Sequence, residues 1–422
     1  MVIDGRPRDP CSCRDAAPNV EIVASEPDWL DFASSRRGLP LSCGSCSWGP
    51  RVKNLSVLVI GAGIGGLTAA IALRQRGFSV EMIEKDPQWS VYGVGIIQQG
   101  NVLRAVHALG ILDRYIHAGA GFDAVEVYAP NGMKVARVPS HRLLADHPAN
   151  VGVSRKSLQK VLGDAAAGSG AALRLGVTAA AIEQDGARVA VKFSDGTNGT
   201  YDVVVGADGA YSATRSLLMP EAASPSYTGQ AVWRYNLPRP SGLDALHVYN
   251  GPVGAGLVPM SRELMYMYLT TPEPGNPRYA REGIAAAMRS KADACAPAIR
   301  QLAESITDDD GVVYRPLEWL LVEGPWHRGS VVLLGDAVHA TTPHLGQGAG
   351  MAIEDSLVLA EELAQHADLQ SAFAAYRARR FGRCEYIVRA SLAICMGQLG
   401  KGPPVDNARA TAEMFAVTAK PI

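Results

Sequence analysis

The stretch Val331-Val332-Leu333-Leu334-Gly335-Asp336-Ala337, continuing through His339, Pro343 and Gly346-Gln347-Gly348 to Glu354-Asp355, decides the fold of this chain. Four apolar residues read as a short buried strand that empties into a Gly-Asp turn, and a second glycine group opens an amphipathic helix. Alone, that pattern describes an anion site at a helix N-terminus. Its weight comes from a second signature far away, Gly61-Ala62-Gly63-Ile64-Gly65-Gly66. Leu55–Ile60 reads as a strand, Ile64–Arg76 as a helix and Ser79–Glu84 as a second strand, a βαβ unit. Gly61 allows the tight turn, Gly63 lets backbone approach a pyrophosphate, and Gly66 allows close helix–strand packing, with Gly65 in the same loop. Glu84, with Lys85 beside it, lies about 20 residues on, where a carboxylate accepts ribose hydroxyls. Two nucleotide signatures separated by most of the chain must meet on one elongated cofactor, and that implies FAD.

A third segment fits the same scheme. Tyr201–Gly206 reads as a buried strand ending at Asp208-Gly209, with Ser212 and Arg215 following. In the opening stretch, Gly335 permits close approach and Asp336 is placed to accept a ribityl hydroxyl. Gly346, Gly348, Ala349 and Gly350 form a backbone-exposed loop at a helix start. The roughly +0.5 charge of a helix N-terminus suits the negative charge that develops at N1–C2=O of reduced flavin.

The bulk composition bounds the rest. At 422 residues, 47% hydrophobic and 19% charged, the chain is long enough for two domains or one large domain with an embedded second sheet. A net charge of −1 without a basic stripe argues against nucleic acid, and no apolar run approaches a membrane span. Residues 1–53 are rich in Pro, Ser, Arg and Asp, lack periodicity, and read as a disordered extension. Cys11, Cys13, Cys43 and Cys46 form C-x-C and C-x-x-C pairs that zinc or a disulfide could use, but no zinc-knuckle hairpin surrounds them, so no metal is expected. Cys295, Cys384 and Cys395 read as reduced, buried thiols of a cytoplasmic protein.

Between the third signature and the opening stretch, Ser226–Thr271 alternates aromatic and aliphatic residues with Pro/Gly turns, the pattern of an antiparallel sheet forming a second lobe. Helical segments surround Ala280–Arg289 and Ala298–Ser305, and Val312–Trp319 reads as a strand returning to the first lobe. Further helices are expected near Asn101–Leu109, from a Ser154 cap through Leu162, and over Met351–His366 and Leu369–Leu392. The expected architecture is α/β: a Rossmann-like FAD-binding domain with an inserted antiparallel-sheet substrate domain and C-terminal helices. The domain ranges are 54–225 and 321–400 for the FAD-binding domain, 226–320 for the substrate sheet and its helices, and 401–422 for a tail.

Together the glycine turn, VVVGADGAYSATR (203–215) and VVLLGDAVHATTPHLGQGAGMAIED (331–355) closely resemble the single-component FAD-dependent aromatic hydroxylases of the para-hydroxybenzoate hydroxylase fold. The salicylate-, 3-hydroxybenzoate- and 6-hydroxynicotinate-type monooxygenases are the most similar branch. The resemblance covers roughly Leu55 to Leu392. It implies an enzyme that uses NADH or NADPH and O2 to hydroxylate a small phenolic or N-heteroaromatic acid through a flavin C4a-hydroperoxide. It further implies that Arg155, in an R-x-x-L pattern, contacts FAD, and that Asp208-Gly209 serves both FAD and NAD(P)H. Gly348, Ala349 and Gly350 would face the flavin ring, with Pro343 against the isoalloxazine.

One departure from the family matters. Some relatives carry a His and a Tyr on the strand that here reads Gly256-Leu257-Val258-Pro259-Met260, which is aliphatic. Tyr235, His247 and His344 are therefore the candidates for proton chemistry, alongside Pro343 at the reacting position. Arg234 is a candidate carboxylate anchor, with Trp233 and Tyr249 as further substrate contacts; core packing is the plain alternative for each aromatic. His339 is expected to pack the loop. The expected partner is a small aromatic substrate, in a monomer or homodimer. Two other functions stay open: an enzyme of the same fold acting on a non-aromatic or purine substrate, and a non-enzymatic FAD-binding sensor.

Overall fold

Strands buried on both faces read as continuous apolar runs, and here they build a parallel sheet. In the computed structural model, which describes residues 54–422 apart from Tyr92 and Ala187, Ser56–Ile60 pairs in parallel with Ser79–Glu84 and with Val203–Gly206. Val331–Leu333 pairs in parallel with the far side of Val203–Gly206. Ala172–Leu175 and an antiparallel His327–Arg328 complete the two edges of a six-stranded sheet. The strands carrying all three signatures are thus adjacent, although their sequence positions are remote. The Ile64–Gln75 helix packs between this sheet, the Arg155–Gly168 helix and the Gly348–Gln365 helix. The N-terminal cysteines and the expected extension over 1–53 lie outside the described residues.

A seven-stranded sheet forms the second layer, ordered Val313–Trp319, Ser226–Pro238, Leu264–Pro272, Gly254–Pro259, Leu246–Tyr249, Ala124–Tyr128, Lys134–Pro139. Its back face is covered by the Ile284–Ala292 and Pro297–Ala303 helices through Trp233, Met265, Met267, Leu269, Met288 and Ile299. Three sequence expectations change. Val313–Trp319 does not return to the first lobe; it pairs with Ser226–Pro238 as the edge of the second sheet. That sheet also takes two strands, Ala124–Tyr128 and Lys134–Pro139, from inside 54–225, because Leu246–Tyr249 needs a partner on its open side. Tyr201–Gly206 splits at Asp202, whose carboxylate accepts from Ser56 N and Oγ, both at 2.7 Å. Asn198–Tyr201 joins a hairpin and only Val203–Gly206 enters the parallel sheet.

Three helices are longer than the periodicity suggested: Arg155–Gly168, Gly348–Gln365 and Leu369–Gln398. Ser154 does cap the Arg155–Gly168 helix, accepting from Ser157 N at 3.0 Å. The Leu369–Gln398 helix spans 30 residues, about 45 Å at 1.5 Å per residue, and ties both layers together. Near its middle, the fully buried Arg380 donates from Nε to Asp355 Oδ1 at 2.8 Å and pairs with Glu354 Oε2 at 2.7 Å. Asp355 Oδ2 in turn accepts from Gly335 N at 3.0 Å and lies 2.6 Å from His339 Nε2. Burial opposes charge on both members of this pair. The nearby Cys384 and Asp355 still raise His339 well above the usual imidazole range, and His339 and Arg380 hold Asp355 down to about 2. His339 therefore fixes the loop, as expected. Although His339, Asp355 and Cys384 bring their ligand atoms within 4.8 Å of one another, the Arg380 cation already occupies that shell and repels a metal ion. The buried cysteines Cys295, Cys384 and Cys395 are unpaired. Among the described residues no helix is long and apolar enough to cross a membrane.

Arg380→Met would leave the Glu354 and Asp355 carboxylates buried beside one another. Breaking a buried pair of this kind costs about 3–5 kcal/mol. Urea denaturation should show a loss of that size; a loss below about 1 kcal/mol would contradict the assigned network.

Candidate functional site

A cavity of about 780 Å³ lies between the two layers, within the usual range for a ligand site. Its floor is built from the three signatures: Gly63, Ile64 and Gly65; Ala207, Gly209 and Ala210; and Leu334 to Asp336 with Pro343 to Gly346, Gly348 and Ala349. Arg155 also lines it. Two helices begin here, Ile64–Gln75 and Gly348–Gln365. Neither N-cap residue supplies a side-chain hydrogen bond, and neither first turn carries an acidic residue. Two sets of unpaired N–H groups and two positive dipole ends thus face one space, which an anionic ligand can satisfy.

Other predicted residues shape the floor without lining it. Gly61 has φ +99°, and Gly66 packs so closely that a Cβ there would lie 1.8 Å from Gly61 O. Glu84 braces this turn: Oε2 accepts from Ala62 N and Oε1 from Asp86 N, each at 3.0 Å. Each oxygen keeps a lone pair for a further donor, so a ribose hydroxyl fits. Lys85 is exposed. Asp208 is absorbed by its own loop, accepting from Ser212 Oγ at 2.5 Å and from Thr214 N and Oγ1 at 2.9 Å; the cavity meets backbone of Ala207 and Gly209 in its place. Gly350 likewise serves packing, since a Cβ there would meet Val102 Cγ2 at 2.7 Å. Asp336 reaches the cavity from the start of a short helix. The surrounding protein raises its pKa, with His339 and Arg155 opposing that rise.

The roof is the front face of the seven-stranded sheet, and strand parity sorts the aromatic candidates. Arg234 lies opposite Tyr268 across the Ser226–Pro238 and Leu264–Pro272 pair, while Trp233 lies opposite Leu269 and Tyr235 opposite Met267. Cross-strand partners share a face. Arg234, Tyr266 and Tyr268 therefore line the cavity, whereas Trp233 and Tyr235 point into the back core. Tyr235 accepts from Asp308 N at 3.3 Å on that far side. His247 is also outside the cavity lining, 3.3 Å from Glu126 Oε2 in a cluster with Tyr128, Lys134 and Arg137. Tyr249 does line the cavity, stacked on Tyr128 at 4.5 Å.

Tyr266 and Tyr268 were not singled out by sequence, yet the aliphatic strand Gly254–Pro259 makes sense only with them. A Cβ on Gly256 would lie 2.3 Å from the Tyr268 ring, and one on Gly95 would lie 2.4 Å from Tyr266. The glycines give way so that the neighbouring strand can supply both phenols. Burial raises both tyrosine pKa values, so the rings carry neutral hydroxyls. Arg234 forms no hydrogen bond or ion pair with any described residue. Burial lowers it to about 10, with Tyr266 raising it and Arg155 and Arg315 lowering it, and it stays charged at neutral pH.

His344 also lines the cavity. Burial holds it down to about 4, with only Gln398 opposing. Gln398 Oε1 accepts from Gln230 Nε2 at 2.9 Å and Thr270 Oγ1 at 3.2 Å and faces His344 Nε2 at 3.2 Å, while Thr342 Oγ1 lies 3.0 Å from Nδ1. His344 is thus a neutral imidazole with both nitrogens engaged. Gln398 was missed because the expected helix stopped at Leu392.

A family model described as an FAD binding domain matches residues 54–391. The chain belongs to the FAD-dependent aromatic hydroxylase family. Aurachin C monooxygenase/isomerase of Stigmatella aurantiaca is 32% identical, over 82% of this chain and 90% of its own length. The 3-hydroxybenzoate 6-hydroxylase of Polaromonas naphthalenivorans is 32% identical, over 80% of this chain and 86% of its own. Among solved structures, Klebsiella pneumoniae HpxO complexed with FAD and uric acid superposes with a TM-score of 0.74 at 26% identity, covering 86% of this chain and 92% of that one. These likenesses agree with the geometry: paired uncapped helix ends, a braced glycine turn and an Asp336 carboxylate suit an FAD.

Gly66→Ala should yield protein without the yellow flavin absorbance, because the added Cβ cannot coexist with Gly61 O. Asp336→Ala should fold normally and weaken FAD binding about ten-fold, the worth of one charge-assisted hydrogen bond of ~1.5 kcal/mol. Full FAD occupancy in both variants under dilution would refute these contacts.

Proposed function

We propose that the protein is an NAD(P)H-consuming FAD monooxygenase that hydroxylates a small phenolic or N-heteroaromatic acid. The observation that carries this reading is Arg234, a cation that forms no hydrogen bond or ion pair with any described residue, set in a cavity where Tyr266, Tyr268, Val232, Leu246 and Val248 line the same sheet face. An uncompensated charge in such a place is costly unless a ligand neutralises it. A carboxylate or ring oxyanion does so, and its ring then lies against Val232, Val248, Leu246 and Leu317.

When bound, FAD supplies the activation of O2 and the transfer of one oxygen atom, with NADH or NADPH as electron source. The chain's own residues do the rest. Gly63 to Gly65 and Glu84 would hold the pyrophosphate and ribose, Asp336 the ribityl chain, and Gly348 and Ala349 the ring edge, with Pro343 beside it. Arg234 fixes the substrate anion, and the Tyr266 and Tyr268 hydroxyls donate to its oxygens. His344 and Gln398 orient hydrogen bonds at the cavity wall; with its pKa near 4, His344 is a poor base at neutral pH. Tyr235 and His247, which face away, are dropped as proton acceptors, and Trp233 as a substrate contact. The apolar walls limit water, which protects the oxygen-transfer step.

A purine substrate is the second reading, favoured by the neighbour solved with uric acid. Urate is an anionic heteroaromatic and would also use Arg234, so a panel of aromatic acids and purines separates the two by which class accelerates NAD(P)H oxidation. With the accepted substrate, Arg234→Met should lower kcat/KM about 10- to 100-fold, as expected for losing a charged hydrogen bond of ~1.5–3 kcal/mol. The uncharged amide of that substrate should show almost no difference between wild type and variant. Equal losses with the acid and its amide would remove the anion-binding role.

A further inference from the structure

The C-terminal segment 401–422, read from sequence as a tail, contains a helix over Asn407–Ala419 that is fastened at both ends. Asp406 caps it, accepting from Ala408 N at 2.9 Å and Arg409 N at 3.1 Å. At the other end Arg104 donates to the carbonyls of Ala419 and Lys420, each at 2.8 Å. Asn407, Thr411 and Met414 of this helix line the cavity between the two layers, together with Gln398. We propose that Gln398 and Asn407 form a second substrate subsite, remote from Arg234, that takes a neutral ring hydroxyl, a group that both accepts and donates a hydrogen bond. The assignment rests on the anion-binding role of Arg234 proposed above and adds the chemistry of the substrate's other end.

Strand register fixes where this subsite lies. Arg234, Tyr268, Gly256 and Val248 form one row across four strands. The adjacent row holds Val232, Thr270 and Gly254, and continuing the register of 247 with 257, 248 with 256 and 249 with 255 puts Asn250 opposite Gly254. Gln398 lies over Gly254: a Cβ there would meet Gln398 Nε2 at 3.3 Å and Thr270 Oγ1 at 2.5 Å. Asn407 lies over Asn250, donating from Nδ2 to Asn250 Oδ1 at 2.5 Å. The two amides thus stand one strand apart on the sheet, about 5 Å, and the Gly254 backbone is about 12 Å from that of Arg234 by strand spacing and rise. Opposite ends of one aromatic acid fit that separation.

Hydrogen-bond accounting gives the ligand's chemistry. Gln398 Oε1 is already engaged by Gln230 Nε2, Thr270 Oγ1 and His344 Nε2, which fixes the orientation of the amide. Its Nε2 group then has no hydrogen-bond partner among the described residues. Asn407 shows the reverse: Nδ2 is engaged by Asn250, and Oδ1 has no partner among the described residues. Thr411 Oγ1 donates to the Asn407 carbonyl at 2.7 Å and so offers only lone pairs. Two N–H donors on one side therefore stand with acceptor oxygens on the other, and none of these groups is charged. A hydroxyl answers both, accepting from Gln398 and donating to Asn407. A carboxylate only accepts, so the Asn407 and Thr411 oxygens repel it and Arg234 takes it instead. The two subsites thereby set which end of the substrate lies where.

The test titrates FAD-loaded protein with aromatic acids and follows the perturbation of the flavin spectrum. Benzoate with 4-hydroxybenzoate makes a short pair and 2-naphthoate with 6-hydroxy-2-naphthoate a longer one; the matching methoxy ethers are acceptor-only probes. In at least one pair the hydroxyl should improve affinity about ten-fold over the parent acid, as two neutral hydrogen bonds would give, and the ether should lose most of that gain. Asn407→Leu and Gln398→Met each remove one of the two bonds and should lower the ratio to about three-fold. Equal affinities of hydroxylated and parent acids in both pairs, or a ratio that both variants keep at full FAD content, would overturn the subsite alone. Arg234→Met protein that binds every acid as tightly as wild type would instead overturn the anion-binding reading on which the subsite rests.

Discussion

The Asp355 carboxylate is the constraint on which the rest depends. It lies in the core and accepts from the Gly335 amide, faces His339, and takes the Arg380 guanidinium, so one side chain joins the Gly-Asp turn, the helix that follows it and the long C-terminal helix. Burying these charges is expensive, and the cost is met only because every partner is present at once. The network extends through Glu354, which takes Arg380, Arg383 and Asn101, and through Asn101 to Gln347 at the start of the Gly348–Gln365 helix. The helix N-terminus that faces the cavity is thereby placed by the core. Eighteen residues beyond Arg380, about 27 Å along the same helix, Gln398 fixes His344. One rod sets both the floor and one wall of the site.

That rigid floor meets a roof with an opposite electrostatic demand. The floor offers unpaired N–H groups and Asp336; the roof offers Arg234 and Arg315 with two neutral phenols, and its one carboxylate among the described lining residues, Glu318, accepts from the Tyr211 hydroxyl. A flavin with an anionic aromatic substrate answers both demands together. Strand parity enforces the division of labour in the seven-stranded sheet: even-numbered Val232 and Arg234 face the cavity, odd-numbered Trp233 and Tyr235 face the helices behind.

The parallel sheet and its cofactor turns were legible because local chemistry dictates them: Gly61, Gly66 and Gly335 occupy positions where a Cβ or a negative φ is excluded, and such constraints leave a signature in sequence. The roof was less legible. Period-2 alternation showed that Ser226–Thr271 forms strands, yet the choice of face depends on which layer covers which side, a tertiary fact. The alternation of Arg234 with Trp233 and Tyr235 already held the information that they could not share a site; reading parity from the arginine would have excluded Tyr235. Gly256, in the strand that looked bare of catalytic groups, was room for the Tyr268 ring. The partners Ala124–Tyr128 and Lys134–Pro139 were hidden because long-range pairing to Leu246–Tyr249 leaves no local mark.

The most direct test of the account is isotopic. With NADH or NADPH, the protein should be run under 18O2 with an aromatic acid that accelerates dinucleotide oxidation, and the product examined by mass spectrometry. The account predicts one 18O atom in a new ring hydroxyl, with none from solvent. A new oxygen drawn from water, or dinucleotide oxidation that yields only hydrogen peroxide with every aromatic acid and purine tried, would contradict it.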